Sequence, residues 1–76
     1  MTTAEFEKAA KLAVVEFQQE IHDTYISVDD VHVVWMCHLL GNKKCILMDE
    51  ISNHIYEVTY NCHLHEMYLD YYTKMN

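Results

Sequence analysis

Residue types that commonly shape small proteins are scarce in this sequence. It has no proline, no arginine and only one glycine. A Gly-rich phosphate-binding loop needs several glycines, so a nucleotide site of that kind is excluded. No apolar run approaches the length of about 18 residues that a membrane span requires. The start MTTAEFEK also lacks the basic and apolar regions of a signal peptide, and we expect a cytoplasmic protein.

Positive charge is scarce as well. Twelve Asp and Glu residues oppose five Lys residues, which gives a formal net charge of −7. A nucleic-acid-binding protein needs cations, arginine above all, to neutralise phosphate and to contact base edges. The charge balance therefore predicts no direct binding to nucleic acid or to a membrane, and it favours a partner protein with a basic surface.

The chain is short. We expect its 76 residues to form one domain, residues 1–76. A domain of this size buries only about 60% of its unfolded surface and often gains stability from a disulfide, a metal or a second copy. Three cysteines are an odd number, which favours reduced thiols over a disulfide framework.

Residues 3–22 have the periodicity of an amphipathic helix. The spacing of Thr2 and Glu5 is that of a capping box, which marks the helix start. Polar side chains, Gln18 among them, are expected to face outward. The apolar side chains recur every three or four residues and predict one packed stripe: Phe6, Ala9, Ala10, Ala13, Val14, Phe17 and Ile21.

Residues 31–48 have the pattern of a β-hairpin, with two apolar and β-branched runs around a Gly41-Asn42 turn. A two-residue loop there would place Trp35 opposite Met48. Directly opposed residues share a face, and side chains alternate along each strand. The predicted core face carries Val31, Val33, Trp35, Cys37, Leu39, Ile46 and Met48.

Two further strands are predicted at Ile55–Tyr60 and Met67–Tyr72, with Tyr60 opposite Met67. A helix over residues 66–75 is the competing prediction, but the tyrosine content and the period-two alternation favour a strand. The expected fold class is α+β: an N-terminal helix packed on a four-stranded antiparallel β-meander, as a two-layer sandwich.

One helix covers only one face of such a sheet. The opposite face is predicted to carry His32, Val34, Met36, His38, Cys45, Leu47, Ile55, Glu57, Thr59, Tyr68, Asp70 and Tyr72. Four of its apolar members form a candidate patch for a dimer or a partner: Val34, Met36, Leu47 and Ile55. A contiguous exposed apolar patch usually marks an interface. The alternative is a solvated face with ordinary scattered hydrophobic residues.

Six histidines and three cysteines raise the question of a metal site. Cys62, His63 and His65 lie near a predicted turn, but the sequence contains no C-x-x-C and no H-x-x-x-H motif. A small zinc-binding module is therefore a third interpretation, behind buried thiols and surface imidazoles. We expect no cofactor and no catalytic residues, because a helix-on-sheet domain of this size seldom has a deep cleft.

Three segments resemble an uncharacterised family of small phage and prophage proteins: D-D-V-x-V-V-W at 29–35, Y-E-V-T-Y-N at 56–61 and Y-L-D-x-Y at 68–72. With the helical start, the similarity covers nearly the whole chain. Family members carry a Gly-containing turn after Y-E-V-T-Y-N, whereas this chain has Cys62-His63-Leu64-His65. The resemblance implies no established activity; it implies a phage accessory role.

The leading hypothesis is a non-enzymatic inhibitor that binds a host defence protein, in particular an anti-CRISPR protein blocking a CRISPR effector nuclease in the host cytoplasm. A compact acidic body can mimic phosphate charge in a basic nucleic-acid channel. The predicted contacts are acidic residues around two tyrosines: Asp29, Asp30, Asp49, Glu50, Glu57, Tyr68, Asp70 and Tyr72. The alternative is a structural or regulatory phage protein that dimerises through the exposed sheet face.

Overall fold

The computed structural model describes residues 1–72 and has the predicted α+β class. Helix α1 spans Thr3–Ile21, a 3₁₀ turn spans Val28–Asp30, and the strands are β1 Val31–Leu39, β2 Asn42–Asp49, β3 Ile55–Asn61 and β4 Glu66–Tyr72. The strands form one antiparallel sheet in the order β1-β2-β3-β4. The meander is therefore confirmed, including the last strand. The end of the competing helix prediction, residues 73–75, lies outside the described residues.

The predicted capping box begins α1. The Glu5 backbone N–H donates to the Thr2 hydroxyl over 3.1 Å, and the Thr2 backbone N–H donates to the Glu5 carboxylate over 2.8 Å. These bonds satisfy amide groups that have no partner within the helix. The bond from the Thr2 backbone holds the pKa of Glu5 below its usual value. No helix within residues 1–72 combines the length and the apolar character needed to cross a bilayer.

The helix packs on one face of the sheet, which we call the inner face; the opposite one is the outer face. From α1, the core receives Phe6, Ala10 and Val14. The sheet and the connection supply the other buried apolar residues: Ile26, Val31, Cys45, Leu47, Tyr56 and Val58. The small side chain of Ala10 lets the helix lie close to the strands.

Two helix positions differ from the prediction. Gln18 is turned inward and is 1% exposed, because the sheet supplies hydrogen-bond partners for its amide. Ile21, the last residue of α1, is 64% exposed, so the buried stripe ends one turn before the helix does. The remaining apolar stripe follows the sequence pattern.

The predicted register of the first hairpin is wrong. The loop is Leu40-Gly41, one residue earlier than predicted, and it brings Trp35 opposite Ile46. Both loop residues have positive φ, 51° for Leu40 and 86° for Gly41, which is the combination of a type I′ turn. Asn42 is thereby the first residue of β2, and its side-chain oxygen accepts a hydrogen bond from the Cys62 backbone N–H over 3.0 Å.

A β-bulge at Val34 changes the face of half of β1. Val33 pairs with Leu47 and Trp35 pairs with Ile46, so Val34 is an extra residue without a partner of its own. The predicted alternation holds for Val31 and Val33 and fails beyond them, because a bulge interrupts the period of two. Five residues predicted for the core therefore lie on the outer face: Trp35, Cys37, Leu39, Ile46 and Met48.

The second hairpin follows the prediction. Tyr60 pairs with Met67 and Val58 pairs with Leu69, as the period-two pattern indicated. Tyr56 and Val58 are fully buried beneath α1. Glu57 lies between them on β3 and therefore belongs to the outer face, as does its partner on β4, Asp70.

Candidate functional site

The outer face of the sheet has no element packed on it among residues 1–72. Its members are His32, Val34, Trp35, Cys37, Leu39, Asn42, Lys44, Ile46, Met48, Ile55, Glu57, Thr59, Asn61, Glu66, Tyr68, Asp70 and Tyr72. Large apolar side chains are exposed here in unusual number for a small domain: Val34, Trp35, Leu39, Ile55, Tyr68 and Tyr72. Such a concentration is typical of an interaction surface.

Trp35 is the largest apolar residue of this face. It is 48% exposed, and Ile46 lies opposite it on β2. The bulge at Val34 is what turns the indole to this side of the sheet. A half-exposed tryptophan on an uncovered sheet is the kind of side chain that anchors protein interfaces.

Two carboxylates face each other in the same row of the sheet as Trp35. Ile46 pairs with Glu57, and Glu57 pairs with Asp70 on β4. Like charges directly opposed across two strands are unfavourable for the sheet by a few tenths of a kcal/mol, up to about 1 kcal/mol. The pair is therefore a local cost to folding that a cationic partner group would relieve.

One lysine partly compensates this charge. The Lys44 ammonium lies 2.9 Å from the Glu57 carboxylate, and this hydrogen bond raises the pKa of Lys44. Asp70 has no ion-pair partner among residues 1–72. Within residues 1–72, the outer face thus presents one carboxylate with an ion-pair partner beside one without.

Tyrosines lie on both sides of Asp70 along β4. Tyr68 and Tyr72 are two residues away in each direction and share its face. The Tyr68 hydroxyl donates to the Glu66 carboxylate, and this bond raises the pKa of Tyr68. The arrangement offers a carboxylate between two aromatic rings, which suits a cationic side chain.

A hydrogen-bonded pair lies at the edge of the outer face. The His32 imidazole is 2.9 Å from the Glu50 carboxylate, and both side chains are about half exposed. This pair joins β1 to the loop after β2. It holds the carboxylate of Glu50 beside the edge strand β1.

The structure brings together only part of the predicted contact set. Glu57, Tyr68, Asp70 and Tyr72 share the outer face, and Glu50 lies at its edge. Asp29 is exposed beside α1, near Lys8 and Leu12, and is not part of this face.

Asp30 and Asp49 have structural partners instead. The Asp30 carboxylate accepts the Ser27 backbone N–H over 2.9 Å, which closes the 3₁₀ turn. Asp49 is fully buried on the inner face, so its prediction as an exposed contact is wrong. Strand alternation after the corrected register places it there.

The predicted apolar patch also needs correction. Val34 and Ile55 are exposed on the outer face as expected. Leu47 is fully buried and Met36 packs against the core, so both are inner-face residues. Their places on the outer face are taken by Trp35, Ile46 and Met48, which the simple alternation had assigned to the core.

A buried hydrogen-bond network around Asp49 was not foreseen. The Tyr56 hydroxyl donates to Asp49 over 2.6 Å, and the Gln18 amide donates to the same Tyr56 oxygen. The Ser52 backbone N–H and hydroxyl donate to the carboxylate over 2.6 and 2.5 Å. Gln18 also lies 3.2 Å from the His54 Nδ1. The network ties α1 to β2, to β3 and to the loop between them.

The charges in this network are set by burial and by hydrogen bonds. Burial raises the pKa of Asp49, but the bonds from Ser52 and Tyr56 outweigh it and leave the pKa below its usual value. Burial, followed by the bond to Asp49, raises the pKa of Tyr56. Asp49 is therefore an anion and Tyr56 a neutral donor. Both are sealed from solvent, which fits a stabilising role.

The thiols and imidazoles do not gather into a metal centre. No group of three or more His, Cys, Asp or Glu side chains within residues 1–72 is arranged to hold an ion. Cys62, His63 and His65 follow β3 in the turn to β4, and the Cys62 thiol donates to the Leu40 carbonyl. The zinc-binding interpretation gains no support from this geometry.

Comparison with known proteins yields a family and no named activity. No curated protein and no solved structure matches the chain. A family of unknown function, DUF6275, matches residues 6–76, which is nearly the whole sequence. The match includes α1 from Phe6 onward, the four strands and therefore the whole outer face. The chain belongs to this family of unknown function, DUF6275.

Proposed function

We propose that the protein is a non-enzymatic binding protein whose outer face docks on a basic surface of a partner protein. The observation that carries this proposal is the row formed by Trp35, Ile46, Glu57 and Asp70, on a sheet face that no element of residues 1–72 covers. The row combines an apolar anchor with two carboxylates, and among residues 1–72 only Glu57 has an ion-pair partner. Enzymatic chemistry is not needed to account for any of these residues.

Each part of the row has a distinct role in the proposal. Burial of the half-exposed Trp35 supplies affinity, since a few buried residues, often tryptophan, contribute most of the binding free energy of an interface. Glu57 and Asp70 supply orientation and association rate through attraction to cationic groups. Tyr68 and Tyr72 complete the face around Asp70 and exclude water from the contact.

The partner that fits this chemistry is a nucleic-acid-binding protein. Such proteins carry basic channels, and a body with a net charge of −7 is drawn to them from a distance. The resemblance to phage and prophage proteins favours a host defence protein. In its most specific form, the proposal is that the protein is an anti-CRISPR protein and occupies the nucleic-acid channel of a CRISPR effector nuclease.

A competition experiment tests the proposal. The protein is immobilised and exposed to host lysate with and without added guide RNA or DNA. We expect capture of a nucleic-acid-binding protein, displaced by the nucleic acid and lost with Trp35→Ala or with Asp70→Lys. Glu16→Lys on the exposed side of α1 makes the same charge change away from the outer face and is the matched control.

Two results would contradict the proposal. One is a captured set without any nucleic-acid-binding protein. The other is equal binding by wild type, Trp35→Ala and Asp70→Lys, since the outer face would then be irrelevant. Inhibition of the captured protein's nucleic-acid binding, measured with purified components, separates the inhibitor from a mere binding protein.

The exposed apolar content of the outer face also favours a second candidate. In that case two copies pair through this face, and the protein has a structural or regulatory role. Light scattering distinguishes the candidates, because such a dimer is lost in Trp35→Ala and leaves no free face for a basic partner. A strict monomer at high concentration removes this candidate.

A further inference from the structure

We propose that the partner protein contributes an extended segment that pairs with β4 as a fifth strand of the sheet, and that basic and apolar residues alternate along this segment. This mode of docking rests on the function proposed for the outer face and specifies how the partner reaches it. β4 is the last strand in the order β1-β2-β3-β4. Addition of a strand to the edge of a sheet is a common form of peptide recognition.

The free side of β4 is regular over the length of the strand. Its seven residues pair with β3 in one continuous register, from Asn61 with Glu66 to Ile55 with Tyr72. In the part of the chain that the structure describes, no strand pairs with the other side of β4. Every second residue of an edge strand directs its N–H and C=O away from the sheet. β4 therefore offers regularly spaced donors and acceptors to a strand of similar length.

The outer-face side of β4 selects a basic strand. Glu66 and Asp70 lie four residues apart on this side, and Glu57 lies next to Asp70 on β3. Lys44 pairs with Glu57 over 2.9 Å. Among the described residues, this margin of the outer face thus carries three carboxylates and one lysine, a net negative charge. Side chains that share a face of two paired strands stand opposite each other, so two basic residues four apart would meet Glu66 and Asp70.

The tyrosines of β4 favour arginine over lysine in this strand. Tyr68 and Tyr72 flank Asp70 on the same face. A guanidinium group stacks on aromatic rings and binds a carboxylate through two parallel hydrogen bonds, which an ammonium group cannot do. The Tyr68 ring is held in place, because its hydroxyl donates to Glu66. We therefore expect arginine opposite Asp70.

The inner-face side of β4 selects apolar residues at the alternate positions. Helix α1 packs mainly on β1, β2 and β3. It reaches the end of β4 through Phe17, whose ring centroid lies 5.1 Å from that of Tyr71. Nearer the start of β4, Met67 is 40% exposed and Leu69 is half-buried. Apolar side chains of an added strand would cover both and extend the core by one strand.

A second copy of this chain fits the same edge less well. Pairing of β4 with β4 of another copy would bring Glu66 and Asp70 of both copies to one seam. Each copy also carries a formal net charge of −7. Like charges on neighbouring strands destabilise their pairing. The charge of this edge therefore selects a basic strand from a different protein.

A synthetic peptide tests this mode of docking. The probe is a short peptide in which arginine and valine alternate, and calorimetry measures its affinity for the full chain. We expect binding that weakens with added salt, and that weakens about threefold with Glu66→Gln or with Asp70→Asn, since each change removes one exposed ionic contact. Glu16→Gln removes the same charge from the exposed side of α1 and is the matched control. Equal affinity for all three variants would overturn the inference.

Methylation of the peptide backbone separates strand addition from simple charge attraction. N-methyl groups on all arginines, or on all valines, remove alternate N–H donors and leave every side chain in place. Only one of these two sets faces β4 in a paired strand. We expect one methylated peptide to lose about tenfold or more in affinity and the other to bind like the parent peptide. Equal binding of the two methylated peptides would contradict strand addition.

Hydrogen exchange locates the peptide on the sheet. In the complex we expect slower exchange at alternate amides of β4 and unchanged exchange in β1, at the opposite edge. Protection of β1 in place of β4 would overturn the inference. Protection of β4 that rises with protein concentration, without peptide, would also overturn it, because a second copy would then be the occupant.

Failure of this inference is distinguishable from failure of the proposed function. Trp35 lies on β1, across the sheet from β4. We expect Trp35→Ala to bind the peptide like wild type and to lose the partner captured from lysate. A peptide that does not bind, with capture still dependent on Trp35 and Asp70, would overturn strand addition and leave the docking function of the outer face intact.

Discussion

Tyr56 donates its hydroxyl hydrogen to the buried carboxylate of Asp49 over 2.6 Å, and both side chains are fully buried beneath α1. Removing this hydroxyl leaves the carboxylate short of one donor and the Gln18 amide short of one acceptor. We expect Tyr56→Phe to reduce the free energy of unfolding by about 1–3 kcal/mol, measured by urea denaturation. Tyr60→Phe, at a half-buried position on the same strand, is the control. An unchanged midpoint for Tyr56→Phe would contradict the role of the network.

Stability should fall in acid through Asp49. Its pKa is lowered in the folded protein, because the donated hydrogen bonds outweigh burial. A lowered folded-state pKa means that this contribution is fully present above the unfolded value of about 3.9 and is lost as the pH falls through the folded pKa. We expect Asp49→Asn to be less stable at pH 7 and to have a flatter profile between about pH 5 and pH 2. Thermal unfolding at each pH measures both effects; parallel profiles for the two proteins would refute the assignment.

The single tryptophan reports directly on the bulge. Because Trp35 is 48% exposed, its emission should be shifted toward that of a solvated indole and should be quenched readily by acrylamide. The urea-unfolded protein supplies the reference for full exposure. A blue-shifted, protected emission in the folded state would place Trp35 in the core and contradict the register with Ile46.

Gly41 is the one glycine, and its place in the turn resists substitution. Its φ is 86°, and an added Cβ would lie 3.0 Å from the Cys62 sulfur. We expect the left-handed backbone of Gly41→Ala to lower the free energy of unfolding by about 1–2 kcal/mol. The close contact with the Cys62 sulfur should add a further loss to this. The double variant Gly41→Ala/Cys62→Ala should recover only the stability lost through the sulfur contact. Full recovery would show that the backbone conformation is not costly.

The three thiols should react at distinct rates. Cys37 is exposed on the outer face, Cys62 is half-buried and Cys45 is fully buried. Burial raises the pKa of Cys45 to about 11, so it carries almost no thiolate at neutral pH. We expect an aromatic disulfide reagent to modify Cys37 quickly and Cys45 only on unfolding. Cys37→Ser should remove the fast phase, and a fast phase that survives this change would contradict the burial order.

The sequence correctly predicts the features that depend on neighbouring residues, such as the helix start and the pairing of the last two strands. Thr2 and Glu5 marked the start of α1, and the alternation of residues 55–72 predicted the pairing of Val58 with Leu69. Both signals operate within a few residues, through backbone capping in one case and strand alternation in the other. The fold class followed from these elements alone.

The outer face could not be read correctly from the same pattern. From Val33 to Cys37 every residue is apolar, so alternation does not indicate where the strand bulges. Gly41 occupies the second loop position and not the first, which the dipeptide Gly-Asn does not reveal. Gln18 is predicted to face outward with the other polar side chains of the helix, whereas its buried partner, Tyr56, lies 38 residues away in the sequence. Contacts at such separation depend on the assembled fold and leave no local mark.

The bulge at Val34 also bears on how this protein avoids aggregation. β1 is an edge strand of nine residues without proline, and its outer backbone groups would otherwise be a straight template for a strand of another chain. A bulge in the middle of an edge strand bends it and increases its twist, which spoils that template. Removing Val34 would therefore do more than return Trp35 to the other side of the sheet. It would straighten the edge and expose the protein to strand-to-strand polymerisation.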